Sequence, residues 1–119
     1  MESRWTPAAA VLVLLATAAQ SQAPTVALDK AKEAYSAAMS AQPSKTVCEA
    51  CVWWNKVEST LDLANGYMYS PDLLPKDKYP SALKHYRATL KLYPTLIEAK
   101  QGADTIVSIY QGMGREVPE

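Results

Sequence analysis

Apolar side chains recur at helical spacing in four stretches of this chain, and no useful length alternates with period two. In the first stretch, residues 26–42, Leu28, Ala31, Tyr35 and Ala38 share a face, with Lys30, Lys32 and Glu33 between them. Pro43 stops that pattern, because its ring cannot continue a helix. The second stretch opens at Thr46-Val-Cys-Glu49, the spacing of a capping box in which Thr46 and Glu49 satisfy each other's free amides. Along it Val47, Trp54, Leu61 and Met68 recur every seven residues, and Ala50, Val57 and Ala64 fill the intervening positions. Trp53, Leu63 and Tyr67 lie off that stripe. This helix therefore has apolar surface on more than one side, as one held between two neighbours does.

Pro71 and Pro75 mark residues 70–79 as a loop, and Pro80 suits the first turn of a third helix. Leu83, Tyr86, Leu90 and Tyr93 make its buried stripe, and Pro94 ends it. Thr95-Leu-Ile-Glu98 is a second capping box, and Leu96, Ala99, Ala103, Ile106 and Tyr110 continue a fourth helix. Gly112 and Gly114 close that helix, leaving 115–119 as a tail expected to fray. The pattern predicts an all-α fold of four helices in two antiparallel pairs.

The start of the chain reads differently. Met1-Glu-Ser-Arg4 precedes an apolar run of twelve residues, 8–19, and Ser21 and Ala23 place small side chains just before Pro24. This is the order of a secretory signal peptide, cleaved after Ala23. The run is too short to span a bilayer comfortably, which takes about 20 apolar residues. The expected divisions are a signal at 1–23, a helical domain at 24–114 and the tail. The mature protein is expected to be exported, periplasmic or secreted, with no stable membrane span.

With 119 residues, 49% hydrophobic and 20% charged, the chain is long enough for one small domain. Lys+Arg and Asp+Glu balance at 12 each, which argues against nucleic acid as a partner. Two cysteines cannot build a disulfide-rich scaffold, one histidine gives no metal-binding pair, and four glycines form no phosphate loop. No cofactor and no enzymatic activity are expected.

Ala31, Tyr35 and Pro43 stand at the same relative spacing as Ala82, Tyr86 and Pro94, 51 residues further on. Between the copies lies Leu63-Ala64-Asn65-Gly66-Tyr67, a leucine, a small residue, then an aromatic three further along. Together these resemble a tetratricopeptide repeat, in which a small residue lets helices approach, an aromatic fills the gap and proline ends the pair. The family repeats about every 34 residues. Here the extra seventeen divide into eleven ahead of Leu63 and six after Tyr67. Residues 79–110 look most like the exported bacterial members, with their aromatic-Pro, then Ala, helix junction. The resemblance implies equivalent surroundings for Tyr35 and Tyr86, and a module that binds a protein partner or assembles with itself. Asn65 sits where carboxylate-clamp members of the family hold a peptide terminus, although Leu61 replaces the lysine expected one turn earlier.

Chemistry is concentrated at Cys48-Glu-Ala-Cys51. The capping box places Cys48 in the first turn of a helix, where free amides and the dipole favour a thiolate. No strand precedes the motif as in thioredoxin-type enzymes, and Val52 stands where haem attachment needs histidine. Three readings remain: a structural disulfide formed after export, thiol–disulfide exchange, and a metal shared between chains. His85, between Lys84 and Tyr86, reads as a solvated surface residue. Trp53 is a candidate exposed anchor, and Ile97 and Ile109 lie off the fourth stripe, where a partner or second copy would dock. The expected function is an exported, non-catalytic helical-repeat module for protein interaction or self-assembly. The alternative is a small exported thiol–disulfide or metal-handling protein acting through Cys48 and Cys51.

Overall fold

The computed structural model describes residues 27–119, so the expected signal segment lies outside the described residues. Four helices, α1 (Leu28–Ser40), α2 (Glu49–Met68), α3 (Pro75–Leu92) and α4 (Ile97–Gly112), account for most of it, and no strand occurs among the described residues. Each helix packs on the next: α1 on α2, α2 on α3, α3 on α4. The pairs run antiparallel. Trp53 at the start of α2 reaches the end of α3, and Gly66 near the end of α2 lies against Leu28 at the start of α1. As the two-sided apolar pattern predicted, α2 is held between two neighbours.

The core gathers Ala64 from α2, Ala82, Leu83 and Tyr86 from α3, and Ala99, Ala103, Ile106 and Tyr110 from α4. The small residues of the repeat pattern, Ala31, Ala64 and Ala82, are buried, as is Leu63. Tyr67 is half-buried, and Pro43 and Pro94 lie in the connections after α1 and α3. The ring of Tyr86, 1% exposed, lies across Gly102, where a β-carbon would overlap it. Glycine is required there by close approach, not by backbone angle. Tyr35 is only half-buried, so the two tyrosines are not equivalent. The reason is position: α3 has α2 and α4 as neighbours, whereas α1 packs only at one end of the series.

Several helix starts differ from the pattern. α2 begins at Glu49 with Cys48 as its N-cap, so Thr46 caps nothing. The Ser44 hydroxyl instead accepts from the Thr46 and Val47 amides, folding the chain into a turn before the helix can start. α4 begins at Ile97 with no side-chain cap. The turn after α3, in which the Leu96 amide donates to the Tyr93 carbonyl, makes Leu96 the N-cap and leaves Thr95 outside. α3 begins at Pro75, with Pro80 inside it. Pro75 occupies the first turn, where its missing amide would have no partner anyway. Pro80 lies one turn later and removes a single ladder bond, that to the Lys76 carbonyl.

The seven-residue stripe of α2 holds only in its second half. Val57 and Ala64 are buried, but Val47, Ala50 and Trp54 are exposed. α1 has 13 residues and α2 has 20, about 20 Å against 30 Å, and α1 starts level with the end of α2. The first two turns of α2 therefore overreach α1 and have no helix to cover them on that side. At the other end of the chain Gly114 adopts φ 68°, and the Gly114 and Arg115 amides donate to the Gln111 and Tyr110 carbonyls, a Schellman closure. Instead of leaving as a free end, residues 115–119 turn back. Val117 packs against the core, and the Pro118 carbonyl accepts from Arg87 Nη1 at 2.7 Å.

Candidate functional site

The overreaching end of α2 carries most of the candidate residues. Cys48 and Cys51 form a disulfide, with Cα atoms 5.0 Å apart. Cys48 lies just outside the helix and not in its first turn, and its Sγ accepts from the Cys51 amide at 3.0 Å. The sulfur thus takes the place of the hydroxyl or carboxylate that usually caps a helix. Both cysteines are exposed. Among the described residues no three His, Cys, Asp or Glu side chains converge as a metal-holding group.

Next to the disulfide, the Trp53, Trp54 and Tyr93 rings form one cluster, with centroids 5.6 to 6.3 Å apart and planes tilted by 38 to 59°. The Trp53 indole N–H donates to the Leu92 carbonyl at 3.1 Å, satisfying an acceptor freed by the end of α3 and fixing the ring. Trp53 remains 40% exposed and Trp54 43%. Trp54 was expected in the core; the overreach of α2 puts it on the surface. Val47 adds an exposed apolar side chain from the turn before α2.

Ile97, 67% exposed, opens α4, and its neighbour Glu98 faces Asn65, Met68 and Tyr69 near the far end of α2, not the aromatic cluster. Ile109 is half-buried and twelve residues further along α4, about 18 Å along its axis. The two isoleucines therefore do not form one patch. Asn65 lies twelve residues beyond Trp53 on α2, about 18 Å along its axis, and shares a depression with Glu98. Its Oδ1 accepts from the Tyr86 hydroxyl at 2.5 Å. Burial, with Tyr69 and Glu98 nearby, pushes the Tyr86 phenol well above its ordinary value, so it stays protonated and donates. Asp62 is also raised, first by burial and then by Glu58 and Glu98.

His85 is not a solvated surface residue. Its imidazole lies parallel to the Tyr67 ring, 5.5 Å between centroids at 2°, and meets Tyr35 edge-on at 5.5 Å. Its Nδ1 is buried without a partner among the described residues. Burial, then the Lys84 charge, lowers its pKa. Lys32 from α1 stands 5.7 Å from the Tyr67 ring.

Sequence reasoning missed Trp54, Tyr93 and the His85 stack. The signals were present: a second helix longer than the first, and a histidine directly before the buried Tyr86. No family model matches the chain, and no curated protein or solved structure matches it.

Proposed function

We propose that this protein is an exported, non-catalytic helical module of tetratricopeptide-like construction that holds a protein partner, or a second copy of itself, at the disulfide-capped end of α2. The observation that carries this reading is the exposed Trp53–Trp54–Tyr93 cluster. Tryptophan and tyrosine dominate binding energy at interfaces, because large rings bury much area with few torsions to fix. Here one of the rings is already anchored by its hydrogen bond to Leu92, so little ordering cost remains on association. Val47, exposed in the turn just before the disulfide, extends the apolar surface.

The test is capture from the native compartment with the mature chain as bait, compared with a Trp53→Ala/Trp54→Ala variant that keeps its helical spectrum. Loss of the captured proteins or of self-association in the variant supports the reading. An unchanged set removes it.

A second reading has its own observation, the exposed Cys48–Cys51 disulfide at a helix N-terminus. A thiol–disulfide exchange protein would place a reducible pair there. Its reduction potential separates the two: a value in the oxidoreductase range favours exchange, and a very negative one favours a structural bond.

A further inference from the structure

The opposite half of α2 carries a second surface that the aromatic end does not explain. Two depressions meet there. One, about 480 Å³, lies between the start of α1, the end of α2 and residues 70–73. The other, about 340 Å³, lies between the end of α2 and α4. Asn65 and Tyr69 line both, so the two form one groove crossing α2. Each is of a size that holds small-molecule or side-chain ligands.

The first depression is largely apolar, with Leu28 and Leu73; the second is more polar, with Gln101 and Thr105 beside Met68; the Tyr69 ring, 62% exposed, stands on the divide. The charged rim has one sign. Asp29 and Asp72 line the first depression and Glu98 the second, from three different elements, and no Lys, Arg or His lines either among the described residues. A carboxylate terminus, the ligand of the clamp that the position of Asn65 resembles, meets only like charge there. A cationic side chain meets complementary charge at both ends and a tyrosine face between them. Asn65 supplies the remaining element. With Oδ1 held by the buried Tyr86 hydroxyl, its orientation is fixed, and its Nδ2 arm has no partner among the described residues.

We propose that this groove binds an extended, lysine- or arginine-bearing peptide segment of another protein. Cationic side chains enter the two depressions toward Asp29, Asp72 and Glu98, and Asn65 Nδ2 donates to a backbone carbonyl between them. The apolar stems of those side chains cover Leu73 and Met68 while their charged heads stay at the rim. The proposal does not depend on the aromatic end.

The experiment is fluorescence anisotropy of the mature chain with a labelled octapeptide alternating Lys and Thr, capped at both ends, and with its Glu-for-Lys counterpart. The lysine peptide is expected to bind and the glutamate peptide not to. An Asp72→Lys/Glu98→Lys variant, both positions exposed and so compatible with folding, is expected to weaken binding about tenfold, as reversal of rim charges does. Affinity should fall as salt rises, since exposed charges are screened. Trp53→Ala/Trp54→Ala should bind the lysine peptide like the wild type, which separates this site from the aromatic end. Absence of binding, equal binding by the charge-reversed variant, or equal binding of the glutamate peptide overturns the proposal. So does a free polyamine that binds as tightly as the peptide, which would make this a small-cation site.

Discussion

Replacing Tyr86 by alanine tests the energetic centre of the fold. The ring is 1% exposed, lies across Gly102 and donates its hydroxyl to Asn65. Truncating a buried aromatic costs about 3–5 kcal/mol, and the hydroxyl's hydrogen bond adds about 1 kcal/mol that Tyr86→Phe isolates. A domain of this size has a total stability of about 5–14 kcal/mol, so Tyr86→Ala removes about a fifth of it at the least. Tyr35→Ala is the comparison. Its half-buried ring touches His85 by an edge and lies on the outermost helix, so a loss of about 1–2 kcal/mol is expected. Urea denaturation followed by circular dichroism gives both values from the shift in midpoint at constant slope. The repeat pattern alone assigns the two tyrosines equal weight, whereas their burial does not. Two losses agreeing within about 0.5 kcal/mol would refute the packing argument and restore the equivalence.

Gly102→Ala sets a β-carbon into the Tyr86 ring and should destabilise by about 1–3 kcal/mol in the same assay, although alanine is the better helix former. His85 has a lowered pKa in the fold, so the unfolded chain binds its proton more readily. Stability from this group is complete above about pH 6.5 and is lost as pH falls through the folded value; melting temperature should drop across that window, and His85→Gln should flatten the dependence. Cys48→Ser/Cys51→Ser should lower stability by about 2 kcal/mol or less, because the closed loop is very short and serine caps a helix well; thermal melts in parallel with the oxidised protein check this.

The helical architecture was legible because periodicity is a property of the chain itself. The stripes Leu83–Tyr86 and Ala99–Ala103–Ile106–Tyr110 are buried as the spacing implied. Helix starts were less legible, because each depended on a competition the spacing does not record. Ser44 took the amides near Thr46, and the turn after Tyr93 left Thr95 outside α4. Pro75 and Pro80 are equally acceptable as first-turn residues in the sequence, and only the neighbours of α3 decide between them. The candidate site was legible in part. Cys48, Cys51 and Trp53 follow from residue type, but Trp54 joined them because α1 is seven residues shorter than α2. The groove was invisible, since Asp29, Asp72 and Glu98 lie far apart along the chain and meet only around Asn65 and Tyr69.

The fully buried contacts of α1 are two alanines, Ala31 and Ala38. Small side chains let its backbone approach α2 closely but remove little area from water, so this helix is the least firmly held of the four. Its amides should exchange with solvent through openings that leave α2, α3 and α4 intact. The linker 41–48 can then act as a hinge, and the flank of α2 that α1 vacates fits the α1 of another copy as well as its own. At high concentration, exchange of α1 between copies is then the expected route to a dimer, and size-exclusion chromatography across a concentration series checks it.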